Sequence, residues 1–380
     1  MMRGGGVASY YKQAILFWAT LVFFAPVFGC APVTRQMTGD ELKAYAPSMP
    51  AREVRILTIN AWTGLDYKGL LKMGRYEDNT EARYGLLASG IRRLDPDIIA
   101  VQEANLLPEF ANRLSSDLGY EVVYHVSNGG FRFGPAGFPV NLRQGEMILV
   151  KKPWALVDLG ERQLSGRGFS TNWFCMQLGE IRKATLARAV VNGKTLYIYG
   201  VHLHAGPFNG PALDWALERL KHKVPADKVG EAVDGVKKDI LRRRREVAAL
   251  SEFIEETLPK GAPAILLGCF NTDTESRDLD PLTSDGFWVD SYRLVNPLMD
   301  HSSEGYTWDP EQNPNFRPAG PGKYCDMLCS YQESRTLRLD FIFVSRSIPM
   351  ERITASRVVF KPVEGASPSD HYGVLTTLFW

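Results

Sequence analysis

The sequence predicts a layered α/β sandwich, because short apolar β-rich runs recur along the chain with helical patterns lying between some of them. The runs are Val54–Ile59, Asp97–Val101, Gly145–Val150, Thr185–Val191, Leu196–Val201, Ala264–Leu267, Leu339–Val344 and Val374–Phe379. Several are continuously apolar, as expected of strands covered on both faces. Tyr84–Leu94 and Arg242–Leu258 instead space their apolar residues by three and four, which predicts helices with one buried stripe. No low-complexity break or internal repeat interrupts the chain from Arg52 to Trp380, so residues 52–380 read as one large domain.

Composition narrows the function classes. With 44 Lys+Arg against 43 Asp+Glu, the chain has no basic excess of the kind that holds proteins on nucleic acid, and no stable nucleic-acid partner is expected. The N-terminus carries more information. Arg3 and Lys12 precede an apolar run from Ala14 to Gly29, shorter than the ~20 residues of a comfortable membrane span, which ends at Cys30. Val27-Phe28-Gly29-Cys30 resembles a bacterial lipobox. That resemblance implies a signal peptide over residues 1–30 and lipidation of Cys30, with an uncleaved anchor or an ordinary signal peptide as the alternatives. Residues 31–51 are polar and punctuated by proline, and read as a tether. Export to a membrane-anchored position facing the periplasm or cell surface follows. Ala31 lacks the Asp that resembles an inner-membrane retention signal, which leans towards an outer membrane. In that oxidising setting Cys325 and Cys329 are a candidate disulfide, with a zinc pair or free thiols as the rivals.

Three segments stand outside the strand and helix pattern. Ser127–Asn141 reads as an exposed apolar loop whose Phe131, Phe133 and Phe138 either dip into a lipid interface or pack on their own domain. Pro207–Asp239 is a long insertion. The basic cluster Arg242–Arg245 reads as a solvated face opening a helix, with a phosphate contact as the minority alternative.

The polar residues of interest sit where strands end. Asn60 follows the first run and Glu103 the second. His202 and His204 follow TLYIYGV, Cys269 and Asn271 follow AILLG, Asp340 lies at RLDFIFV, and Asp370-His371 precede the last run. Sites in α/β sheets form at such ends. Singly, each residue has a structural explanation: a turn for Asn60, a helix-entry charge for Glu103, a loop cap for Asp370-His371. Together, a carboxylate and an amide oxygen suit a hard cation such as Mg²⁺ or another divalent ion, and the histidines suit charge stabilisation or proton transfer.

Thr58-Ile59-Asn60-Ala61-Trp62, Gln102-Glu103, His202-Leu203, Gly268-x-Phe270-Asn271, Arg338-Leu339-Asp340-Phe341 and Ser369-Asp370-His371 resemble, in order, the signature of the endonuclease/exonuclease/phosphatase superfamily. The resemblance implies a four-layer α/β sandwich of two mixed β-sheets flanked by helices, with Asn60, Glu103 and Asp370 in the metal and phosphate environment. It further implies that His202 stabilises the pentacoordinate phosphorus, that Asn271 orients the attacking water, and that Asp340 and His371 form an acid–base pair. Within the superfamily the neutral sphingomyelinase branch is the most similar. His202-Leu203-His204-Ala205, Arg182-Lys183-Ala184, Phe287–Tyr292 and Gly305–Asp309 carry that likeness, which implies Lys183 and His204 near the substrate and a phospholipid or other phosphodiester as the ligand. A nuclease or phosphatase of the same fold shares most of the primary set. One position departs from the family: Cys269 stands where an Asp is due. A thiol of ordinary pKa near ~8.5 is a poor base at neutral pH and a poor Mg²⁺ ligand. The chain is therefore a phosphate-ligand-binding lipoprotein, an enzyme in which Asp273 or Glu275 has taken over, or one in which Cys269 serves another metal or a redox role. The otherwise intact set favours a residual or rerouted hydrolase. Oligomeric state is not readable from the sequence.

Overall fold

A computed structural model describes residues 52–66, 74–75, 80–206, 211–222, 225–274, 276–297, 305–316 and 335–380. Cys30, the expected signal peptide, the tether, Cys325, Cys329 and Glu275 lie outside the described residues. In chain order the elements are β1 (Glu53–Asn60), β2 (Leu65–Asp66), β3 (Gly74–Arg75), α1 (Thr80–Leu94), β4 (Ile98–Ala104), α2 (Glu109–Leu118), β5 (Tyr120–Asn128), β6 (Phe131–Phe133), β7 (Ala136–Phe138), β8 (Gln144–Lys151), β9 (Ala155–Ser170), β10 (Phe174–Val191) and β11 (Lys194–His202). There follow α3 (Pro211–Lys221), α4 (Ala226–Thr257), β12 (Ala264–Cys269), α5 (Asp280–Thr283), β13 (Trp288–Asp290), α6 (Ser291–Val295), β14 (Asp340–Ser345), β15 (Ile353–Val359) and β16 (Gly373–Phe379).

The strands form two mixed sheets. One has the order β15-β16-β1-β4-β8-β5; the other runs β13-β14-β12-β11-β10-β6-β7, with β9 also paired to β10. Alternation along β1 explains its continuous apolar character. Val54 and Ile56 enter the core between the sheets, beside Ile98, Ile148, Ile198, Ile265 and Ile342. Leu57 and Ile59 face the opposite way, with Leu87 and Ile91 of α1 and Leu114 of α2. On the outer face of the second sheet, Val247, Leu250 and Phe253 of α4 pack with Tyr199 and Leu266. Helices, sheet, sheet and helices make the four-layer sandwich expected from the resemblance.

Pairing direction then collects the strand ends. β1 runs parallel to β4, and β11 parallel to β12, so Asn60, Glu103, His202 and Cys269 all occupy C-terminal ends. β14 and β16 run antiparallel to β12 and β1, which brings their N-terminal approaches, Asp340 and His371, to the same edge. Gly268 lets β11 and β12 meet there: at φ +151 a Cβ would lie 1.9 Å from the Val201 carbonyl oxygen.

Three local expectations change. Residues 131–138 form the hairpin β6–β7 added to the second sheet, rather than a loop. Much of the Pro207–Asp239 insertion is helical, in α3 and the first half of α4. The basic cluster lies inside α4 rather than at its start, and it divides: Arg244 and Arg245 are exposed as expected of a solvated face, whereas Arg243 is not. Arg243 is fully buried and donates to Asp278 Oδ2 from Nε (3.0 Å) and Nη2 (2.9 Å), and from Nη1 to the His204 and Gly206 carbonyl oxygens. A helix-interior arginine survives burial only with such a partner set.

Asp278→Ala should therefore lower stability by about 3–5 kcal/mol, because it leaves a guanidinium buried and uncompensated. Urea denaturation tests this, and a loss within experimental error of zero would contradict it.

Candidate active site

Asn60 ends β1, where its Oδ1 accepts from Trp62 N (2.9 Å) and its Nδ2 donates to Glu103 Oε1 (3.2 Å). Glu103 Oε2 accepts from Thr63 N (3.2 Å), so the turn after β1 folds around this carboxylate. Trp62, Glu103 and Asn271 have φ of 48, 56 and 50, a left-handed backbone that non-glycine residues rarely adopt. Strain concentrated at strand ends around one carboxylate is a mark of a functional site. Arg83 holds the turn by donating to the Ala61, Trp62 and Pro368 carbonyl oxygens while stacking 4.7 Å from the Trp62 ring.

On the facing sheet, His202 Nδ1 lies 2.7 Å from Arg182 Nη1. A guanidinium cannot accept, so Nδ1 is the acceptor and the imidazole proton resides on Nε2. That Nε2 lies 3.7 Å from Glu103 Oε1. Burial, reinforced by the Arg182 charge, pushes the His202 pKa well below its ordinary value. His202 is thus a neutral Nε2–H donor aimed at the Asn60–Glu103 edge. Arg182 also pairs with Glu180 (2.6 Å), and Glu180 in turn lies 3.5 Å from His204 Nδ1. Although burial opposes it, Arg182 and the two histidines hold the Glu180 carboxyl well below the usual range.

His371 Nδ1 donates to Asp340 Oδ2 (2.8 Å), leaving Nε2 as the second proton-bearing nitrogen. Despite burial, the Asp340 charge and hydrogen bond raise His371 to about 9, assisted by Asp370 and Glu103. The Gly305–Asp309 stretch explains its own presence here. Thr307 Oγ1 accepts from Asp340 N (3.2 Å), and the Trp308 ring sits 5.0 Å from the His371 ring. Asn313 and Asn315 donate to the carbonyl oxygens of Ser367, Ser369 and Asp370, which holds the loop carrying His371. Asp370, hydrogen-bonded by Ser369 Oγ (3.2 Å), is raised to about 7 by burial and by the charge of Glu103, against the pull of His371.

Cys269 pairs in register with both His202 and Asp340, and its side chain packs with Leu337, Leu339 and Trp308. Burial first, and the Asp340 charge second, push its thiol well above the ordinary value, so it holds its proton. Its Sγ, an Asp340 oxygen and a His371 nitrogen lie within 4.8 Å of one another, a donor set suited to a borderline cation such as Zn²⁺ once the protons are displaced. Asp273, named as a replacement carboxylate, has Oδ1 taken by Thr274 N and Oγ1.

Asn60, Glu103, His202, Cys269, Asn271, Asp340, Asp370 and His371 thus meet at one edge. Asn271 Nδ2 donates to the Leu203 carbonyl oxygen (2.8 Å), which fixes its amide plane. Lys183 departs from expectation. Its ammonium donates to the Val126 and Ser170 carbonyl oxygens (3.0 and 2.5 Å) and to the Glu161 carboxylate (2.8 and 2.9 Å), leaving no N–H for a substrate. Neighbours on a strand point to opposite faces, and it is Arg182 that faces His202. His204 is half-buried between Glu180 and Asp239 (Nε2 to Oδ1, 3.0 Å), past the strand end that carries His202. Sequence reasoning missed Arg182 and Glu180 as site-supporting residues; strand alternation through Arg182-Lys183-Ala184 was the available clue. Asp290 of the Phe287–Tyr292 stretch caps α6 and pairs with Arg338 at 2.7 Å.

His371 should titrate near 9 in the metal-free protein, and Asp340→Asn should bring it down by more than one unit. The sign follows from the raised value: the protonated ring is favoured in the fold below its unfolded pKa near ~6.5, and that stabilisation is lost as pH rises through about 9. NMR titration of the ring protons checks this, and a wild-type midpoint at or below 6.5 would rule it out.

A sequence model of the Endonuclease/Exonuclease/phosphatase family matches residues 57–371. No curated protein matches the chain in sequence. Among solved structures, an endonuclease/exonuclease/phosphatase family protein from Bacteroides thetaiotaomicron is similar at 17% identity and TM-score 0.54, over 87% of this chain and 98% of that one. D. rerio TDP2 complexed with single-strand DNA product is similar at 18% identity and TM-score 0.53, over 86% and 98%. A B. thetaiotaomicron mannosyl-6-phosphatase is similar at 18% identity and TM-score 0.52, over 86% and 100%. These likenesses are of fold. With the family model spanning every strand end of the site, the chain belongs to the endonuclease/exonuclease/phosphatase family.

Proposed function

We propose that the protein is a divalent-metal-dependent phosphodiester hydrolase acting on a phospholipid of the sphingomyelin type. It would work after export, at an outer membrane to which lipidated Cys30 tethers it. The observation that carries the hydrolase reading is the convergence of Asn60, Glu103, His202, Asn271, Asp340, Asp370 and His371 at one edge of two facing sheets.

The donor set fits a hard cation. Glu103 and Asp370 are close enough for the charge of one to raise the other, and Asn60 lies beside Glu103, where its Nδ2 donates to Oε1 and a bound cation would take the amide oxygen instead. Those three residues would hold Mg²⁺ or a similar ion, which when bound polarises a phosphoryl oxygen and offsets charge on the leaving alkoxide. The remaining roles belong to the chain itself. Neutral His202 offers its Nε2–H to a non-bridging phosphoryl oxygen, with Arg182 keeping that tautomer in place. His371, protonated at neutral pH and oriented by Asp340, can give its Nε2 proton to the leaving oxygen. Asn271, its amide plane fixed, would orient the attacking water. Cys269, held as a thiol, supplies no base.

The lipid assignment rests on His202-Leu203-His204-Ala205 and Gly305–Asp309, together with the N-terminal lipobox. A second reading, an extracytoplasmic nuclease or phosphomonoesterase, draws on fold neighbours that include a TDP2 with single-strand DNA product and a mannosyl-6-phosphatase. The balanced charge of the chain counts against the nuclease.

The full chain should release a phosphorylated headgroup from labelled sphingomyelin with Mg²⁺, lose that activity in EDTA, and leave DNA and RNA uncut. The reverse substrate preference would sink the lipid assignment, and no turnover of any phosphodiester would leave a binding lipoprotein. Cys269→Asp should raise kcat by on the order of 10²-fold or more, the usual worth of a positioned base, while Cys269→Ser should change it by less than about three-fold. If Cys269→Asp is no faster than wild type, the thiol is not the weak point.

A further inference from the structure

Nine of the fifteen large apolar side chains exposed among the described residues lie on two hairpin tips, β6–β7 and the β9–β10 turn, so they form a patch rather than a scatter. Register makes it continuous. Phe138 pairs with Phe131, Phe131 with Met176, and Met176 with Phe169, a single row across four strands; Phe133 pairs with Phe174 in the neighbouring row. Directly opposed residues project to the same face. The Phe133 and Phe174 rings meet edge to face at 4.7 Å, yet Phe131, Phe133 and Met176 remain 54%, 58% and 51% exposed. The other face is tied down, with Cys175 buried and Arg132 donating to the Pro135, Pro139 and Leu142 carbonyl oxygens. Six half-exposed side chains of this size present on the order of 500 Å² of apolar surface, at the upper end of what monomeric soluble proteins tolerate.

We infer that this face docks on a lipid bilayer, seating its aromatics at the headgroup level. Charge favours that occupant over an acidic or basic protein partner. From Phe131 to Gln144 and from Gln163 to Gly179 there is no Asp or Glu, and the exposed Arg167, paired with Leu178, sits at the rim where lipid phosphates would lie. The face also adjoins the site. β10 continues from Phe174, Met176 and Leu178 to Glu180 and Arg182, four residues or about 13 Å beyond Leu178. A docked tip thus leaves Arg182, which contacts His202, within about 13 Å of the headgroup level along the strand. The inference deepens the membrane reading above and rests on it for the substrate, though not for the docking itself.

Hydrogen–deuterium exchange on the full chain tests it, with and without vesicles of phosphatidylcholine and sphingomyelin. Amides within 129–142 and 167–178 should exchange at least ten-fold more slowly with vesicles. The triple variant Phe131→Ser, Phe174→Ser, Met176→Ser, and separately the single Phe133→Asp, should abolish that slowing and reduce hydrolysis of vesicle lipid. Melting temperature and cleavage of water-soluble bis-(p-nitrophenyl) phosphate should stay at wild-type values. Unchanged exchange in the presence of vesicles overturns the inference. So does slowing that depends on protein concentration without lipid, which would assign the face to a second copy of the chain. If the wild type shows the slowing but cleaves no diester, the docking surface stands and the hydrolase reading fails. Cleavage without slowing is the opposite outcome.

Discussion

Parallel pairing inside each of two facing sheets is the constraint on which the site depends. β1 beside β4, and β11 beside β12, carry their C-terminal ends to a common edge, and the aliphatic core between the sheets sets how far apart those edges lie. Asn60 and Glu103 therefore face His202 and Cys269 without any direct covalent or loop connection. The packing density of that core resists local adjustment, so the groups are held before any substrate arrives. This is the arrangement that electrostatic stabilisation of a phosphoryl group requires, because donors fixed in advance cost no reorganisation during reaction.

The same edge concentrates negative charge. Glu103, Asp340 and Asp370 converge there, and the protein answers with the imidazolium of His371, the neutral tautomer of His202 and the buried guanidinium of Arg182. Cys269 belongs in this balance. An Asp at that position would add a fourth carboxylate, in register with Asp340 and buried. The thiol removes that repulsion and packs against Trp308 and Leu339 instead.

Two ends of β10 divide the labour. Near its middle, Arg182 supports the site while Lys183, one residue on, is consumed in holding Glu161, Val126 and Ser170 together. Towards its start, the strand joins β6 and β9 in an apolar face with nothing among the described residues to cover it. The site edge and the apolar tip are therefore parts of one continuous strand, with a bulge between Arg182 and Lys183.

Fold class, and which polar residues gather at one edge, were legible in the sequence. Continuous apolar runs can be strands only if both faces are covered, and polar residues at the ends of such runs have few places to go except a common edge. Six ordered motifs then named the end residues that meet there. Tertiary structure alone decided the rest. Alternation says that only one of Lys183 and Arg182 can turn to the site, and which one is decided only when β10 pairs with β11 and meets His202. Whether Arg243 is a solvated charge or a buried partner of Asp278 depends on residues 35 positions away meeting across two elements. The protonation of His202, Cys269 and His371 follows from burial and from the charges beside them, and neither exists until the chain has folded.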